Sequence, residues 1–197
     1  MLLNKAEFND RDNLPEFLNE LGLTGRAVEI GTHQADFASL FYRKWKGQHL
    51  TCVDPWATMS EYYDQSKCLW NSDPDNRDKD YAIAKQKMDE VGKPYRMLKM
   101  TSLEASKRHD LHELDFVYLD GNHEYRWVRQ DLFLWWDHLK PGGVLAGHDI
   151  ICPGEDAGWG KEIQPAVFEF ATERSLTVNL IVESKWLPWS YYIKKES

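Results

Sequence analysis

The chain alternates between apolar runs of strand length and longer segments of helical period. Strand-like runs fall at 26–30 (RAVEI), 49–54 (HLTCVD), 95–100 (YRMLKM), 114–120 (LDFVYLD), 143–149 (GVLAGHD), 176–183 (LTVNLIVE) and 190–195 (SYYIKK). Between most of them, residues 35–46, 80–91, 124–139 and 161–174 carry apolar side chains at three- and four-residue spacings, which predicts helices. Strand, helix and strand in succession imply right-handed crossovers and a parallel sheet with helices on both faces. The link SKWLPW between the last two runs reads as a hairpin, so one C-terminal strand should run antiparallel. The pattern therefore predicts a doubly wound α/β fold with a seven-stranded, mostly parallel sheet in a single domain over 1–197.

One stretch breaks this rhythm. Residues 55–79, PWATMSEYYDQSKCLWNSDPDNRDK, are rich in aromatics and turn formers and hold no sustained period. A connection of that length in a compact domain is more often a binding loop than a packing element, so a lid is expected there.

Charge and cysteine usage narrow the setting. A net charge of -8 and a pI near 5.4 argue against nucleic acid as the main partner, because phosphate binding needs a positive surface. The three cysteines, Cys52, Cys68 and Cys152, are odd in number and show no pairing pattern, which fits a reducing compartment. No segment approaches the roughly 20 apolar residues of a membrane span. The expectation is a cytoplasmic protein with no membrane partner; homo-oligomerisation is left open.

The chemistry gathers at strand ends. The run at 114–120 closes on DGNHEY, and the run at 143–149 closes on His148 and Asp149. Two strands delivering carboxylate and imidazole at one sheet edge suggest an active site. The first strand ends VEIGTHQADF, where Gly31 before a helix N-terminus suits close approach to a ligand. The second ends in Asp54, 23 residues after Gly31, where an acid would hold a ribose hydroxyl pair. A dinucleotide fingerprint is not met, since Thr32, His33, Gln34, Ala35 and Asp36 follow Gly31 and no second glycine appears.

These residues carry a resemblance. VEIG with an acidic end to the next strand resembles class I S-adenosylmethionine-dependent methyltransferases, which have a Rossmann-like fold. The stretch from 114 to 149 is similar to the small metal-assisted O-methyltransferases of the catechol and macrolide-sugar type. The resemblance implies that Glu29, Gly31 and Thr32 hold the methionine end of the cofactor. It implies that Asp54 holds the ribose, that Trp56 lies against the adenine, and that MTSLE supplies Ser102, with Glu104 as a further candidate. It places Asp120 beside both cofactor and metal, with His148 and Asp149, 28 and 29 residues later, as the other metal ligands. It makes His123, three residues after Asp120, the general base, a role that suits an imidazole with an ordinary pKa of about 6.5. Two positions depart from the family. Ala35 stands where many members have glycine, and His148 stands where an acid is usual. Nitrogen there would favour manganese, iron or zinc over magnesium.

The implied function is methyl transfer from S-adenosylmethionine to a hydroxyl of a small molecule or sugar, assisted by a divalent metal. A cofactor-binding protein without catalysis and a nicotinamide-dependent oxidoreductase are the alternatives.

Overall fold

The computed structural model describes residues 1–57, 74–151, 160–183 and 188–196. All described strands join one sheet. They are β1 (Leu2–Lys5), β2 (Arg26–Ile30), β3 (His49–Asp54), β4 (Tyr95–Lys99), β5 (Leu114–Leu119), β6 (Leu139–Ile151), β7 (Thr177–Ile181) and β8 (Trp189–Lys194). Their order is β1-β7-β8-β6-β5-β2-β3-β4, and only β8 runs against the rest. Eight strands therefore replace the seven expected. The added one is β1, whose four residues are all exposed and carry no alternation for a sequence pattern to reveal.

Helices α1 (Leu14–Glu20), α2 (Asp36–Lys44), α3 (Pro74–Val91), α4 (Ser102–Ser106), α5 (Tyr125–His138) and α6 (Gly160–Glu173) complete the described elements, with a 3-10 turn at Arg11–Asn13. Two cores divide the sheet by strand parity. Val117 and Leu119 of β5 face Leu132, Trp135 and Phe170 of α5 and α6, whereas Phe116 and Tyr118 face Leu18, Phe41 and Met88 of α1, α2 and α3. This double cover explains why β5 is buried at every residue and reads as an unbroken apolar run. Residues 74–79, at the end of the expected lid, form the first turns of α3; residues 58–73 of that segment lie outside the described residues.

Two local features shape the C-terminal edge of the sheet. Gly31 has φ +87°, and a Cβ there would lie 2.1 Å from the Asp120 carbonyl oxygen. Its amide donates to Val53 O at 2.9 Å, so this glycine lets β2, β3 and β5 close at their C-terminal ends. Gly31→Ala is expected to destabilise the fold by about 2–5 kcal/mol, combining backbone strain with overpacking. The urea midpoint reads that loss directly, and an unchanged midpoint would contradict it. The second feature lies in β6, whose pairing with β8 shifts register between Gly147 and Ile151. Within that irregularity Asp149 takes φ +58°, a costly conformation for a non-glycine residue.

Candidate active site

The C-terminal ends of β2 and β3 form one wall. Glu29 is 3% exposed, and its Oε2 finds no hydrogen-bond partner among the described residues. Burial pushes its carboxyl up to about 8; the neighbouring Thr32 hydroxyl opposes this only in part, and Asp120 and Asp54 add to it. Asp54 follows a different pattern. Its two oxygens accept from the His33 amide at 3.0 Å and the Trp56 amide at 2.7 Å, although burial still holds its pKa above the ordinary value. Both donors have positive φ, 48° at His33 and 39° at Trp56, so Asp54 fixes two strained turns at once. The Trp56 ring is 2% exposed, donates Nε1–H to the His33 carbonyl at 2.8 Å and meets Tyr81 edge-on. As placed here it is a packing residue that tethers the β2 loop to β3.

Glu29 makes its own prediction about pH. The folded protein holds this proton more tightly than the unfolded chain, whose glutamate has the ordinary value of 4.5. Its contribution to stability is therefore greatest below that value and is lost as pH rises from 4.5 toward 8, by up to about 1.4 kcal/mol per unit. Glu29→Gln should flatten that fall in the cofactor-free protein. Denaturant midpoints that decline with pH identically in both proteins would refute the assignment.

Helices α3, α4 and α5 close the wall from the side. Asp80 of α3 accepts from Gln34 Nε2 at 2.8 Å and lies 3.4 Å from His33 Nε2, clamping the β2–α2 loop. Ser102 begins α4, but its hydroxyl is already engaged, donating to Asp131 at 2.5 Å and accepting from Trp135 Nε1 at 2.8 Å. Glu104 closes a capping box with Thr101, a local reason for its place in the sequence. Ala35 takes φ +58° at the N-cap of α2, which explains why a glycine would suit that position.

The opposite wall comes from β5 and β6. His123 Nε2 lies 3.7 Å from Asp120 Oδ1 and 3.5 Å from Asp149 Oδ2. Burial disfavours the charged ring, but the two carboxylates outweigh it and the His123 pKa is raised. His148 Nδ1 sits 3.0 Å from Asp149 Oδ2. Neighbouring residues of a regular strand would point to opposite faces, so the β6 irregularity is what lets these two side chains meet. Burial pushes Asp149 up, yet His148, His123 and Arg11 together hold it below its ordinary value. Asp120, His123 and Asp149 each offer a donor atom within 4.8 Å of the others. A small cleft opens beside them, lined by Asp120, His123, Asp131, His148, Ile163 and Tyr191. The structure thus converges both expected carboxylates with a histidine, and the histidine within reach of both is His123, while His148 lines the same cleft and meets Asp149 alone.

Two residues here were not legible as site residues. Asp131 sits inside the α5 apolar pattern, and burial pushes its pKa up to about 7, with Ser102 pulling it down. Arg11 reaches the site from outside the α/β repeat, 3.8 Å from Asp120 Oδ2. Only the odd placement of polar residues among apolar ones hints at the first, and nothing local hints at the second.

Comparison with known proteins identifies the fold and the family. A family model described as "Methyltransferase domain" matches residues 28–150. In sequence, no curated protein matches the chain. The fold is similar to that of the O-methyltransferase TomG from Streptomyces achromogenes, solved with S-adenosylmethionine. The TM-score is 0.63 at 15% identity, over 95% of this chain and 80% of that one. An O-methyltransferase from Bacillus cereus, solved with S-adenosylhomocysteine, gives 0.62 at 15% identity over 96% and 84%. An S-adenosylmethionine-dependent O-methyltransferase from Thermotoga maritima gives 0.57 at 12% identity over 98% and 68%. The nicotinamide alternative falls with these matches. Spanning β2 through the β6 irregularity, the family match takes in both walls of the site, and the chain belongs to this methyltransferase family as a class I S-adenosylmethionine-dependent enzyme.

Proposed function

We propose that the protein transfers a methyl group to a hydroxyl of a small molecule or sugar, with His123 as base and a divalent cation held by Asp120 and Asp149. The observation that carries this reading is the placement of His123 between carboxylates from two strands, on the edge that also bears Glu29 and Asp54. The residues fit both groups. An unpartnered buried carboxylate oxygen costs about 1–3 kcal/mol, and the ammonium of the cofactor's methionine end would relieve it at Glu29. Asp120 and Asp149 are hard oxygen donors of the kind a divalent ion needs, and His148 braces Asp149.

S-adenosylmethionine supplies an electrophilic methyl on sulfur, and a bound cation lowers the pKa of an acceptor hydroxyl. The chain's part is orientation and proton transfer. Asp54 holds the ribose while keeping the β2 and β3 turns in place. The His123 imidazole takes the acceptor proton at Nε2, and Asp120 and Asp149 stabilise the imidazolium that results. Fixing acceptor and donor in line supplies much of the rate. No helix among the described residues is long and apolar enough to cross a membrane. The odd cysteine count and the buried free thiol of Cys52 favour a reducing, cytoplasmic setting.

A second reading follows from the convergence of three donor atoms. His123 would then be a metal ligand, favouring a softer ion, and a solvent molecule would accept the proton. Metal titration of the chelated protein with a panel of vicinal diols tests both. Activation led by magnesium supports the base reading, and activation by zinc or iron with none by magnesium supports the ligand reading. On either reading, Asp54→Ala should weaken S-adenosylhomocysteine binding by about 1.5–3 kcal/mol in calorimetry, as a charge-assisted acceptor is lost. Unchanged affinity would remove Asp54 from the cofactor site.

A further inference from the structure

We propose that Arg11 is a cofactor-binding residue that reads the carboxylate of the methionine end, completing with Glu29 a receptor for an amino-acid zwitterion. The N-terminal segment is built to deliver it. β1 pairs with β7, and Ala6 extends that ladder by donating to Leu180 O at 2.7 Å. Phe8 then stacks on Tyr192, 5.8 Å between centroids, and packs against Phe17 at 5.2 Å. Asp10 caps the 3-10 turn by accepting from the Asp12 amide at 2.9 Å. These anchors fix the chain on both sides of Arg11 without burying a single β1 residue. Such a strand adds little to the core, and its effect is to position the turn that bears Arg11.

The guanidinium lands over the Phe37 ring, 5.5 Å from its centroid, and donates to the Tyr118 hydroxyl at 3.3 Å. Tyr118 is the register partner of Glu29 on the adjacent strand. Residues paired in register point to the same face, so the cation stands one strand away from the unpartnered Glu29 oxygen. Asp120 Oδ2 at 3.8 Å is beyond hydrogen-bond reach of the guanidinium, which leaves most of its five donors for a ligand. A side chain 29% exposed and held over an aromatic ring offers a planar fork to the cleft. An acid with a free buried oxygen beside a cation with free donors matches an ammonium and a carboxylate on one carbon. Neither a simple amine nor a simple acid satisfies both.

The proposal rests on the cofactor site at the ends of β2 and β3, and the test separates the two. Calorimetry compares S-adenosylhomocysteine with its decarboxylated analogue, which keeps the amine. The wild-type protein should bind S-adenosylhomocysteine roughly ten- to a hundredfold more tightly, the value of a bidentate charge-assisted pair. Arg11→Met should erase that preference by weakening S-adenosylhomocysteine alone, and Arg11→Lys should restore part of it. Thermal melting of each variant shows whether it is folded, and the lysine variant decides the matter if the methionine variant is not. Equal weakening of both ligands, or a preference that survives in Arg11→Met, overturns the proposal. A wild-type protein that binds neither ligand overturns the cofactor site itself.

Discussion

Replacing His123 by alanine is expected to lower turnover by about 10²–10⁴-fold, with cofactor affinity nearly unchanged. The same residue should set the pH profile. A base acts in its neutral form, so kcat/KM should rise with pH through the His123 pKa, which Asp120 and Asp149 hold above 6.5 against the effect of burial. The alanine variant should lose that acid limb along with its rate. A profile of wild-type shape at reduced height would show that some other group titrates, and turnover within a few fold of wild type would end the role of His123 as base.

The second large effect belongs to Asp120. Its carboxylate faces His123 on one side and Arg11 on the other, while its carbonyl abuts Gly31. Asp120→Asn keeps the shape and the backbone contacts but removes the charge. Loss of a cation's contribution to the transition state should cost several kcal/mol, or roughly 10³-fold in rate, and abolish stimulation by added divalent ions. Wild-type activity that survives chelation, with near-normal turnover in Asp120→Asn, would leave His123 as the base of a metal-independent enzyme.

Much of this edge was legible in the chain alone. Apolar runs such as LDFVYL are long because both faces of β5 are covered, and a run of that kind announces its own strand. Asp120, Asp149 and His123 were legible because a polar residue ending such a run has few structural reasons to be there. The different reach of the two histidines was not. Which ring comes near both carboxylates depends on the register shift opposite β8, a relation between residues some forty positions apart that no local pattern records. The packing of Trp56 was not legible for a similar reason. An aromatic in a loop reads as ligand-facing, and the sequence does not show that its indole N–H is claimed by the His33 carbonyl across the adjoining turn. β1 and Arg11 stayed hidden because LLNK has neither periodicity nor burial, and Arg11 has meaning only once β1 has docked.

The strand order has a consequence for how this enzyme comes into being. β8 follows every other described element in the chain, yet it lies inside the sheet and separates β6 from β7. During synthesis, β2 through β6 can assemble from nearby partners, but β7 and β1 have no edge to join until residues 189–194 have been made. The segment bearing Arg11 precedes β2 to β8 in the chain and is among the last to find its place. Closing a loop that spans nearly the whole chain makes this step slow compared with the local pairings that precede it. A nascent chain in which β2 to β6 have paired still lacks β8 and the docked Arg11 segment, so on the role proposed for Arg11 the capacity to hold the cofactor should mature later than the pairing of those strands.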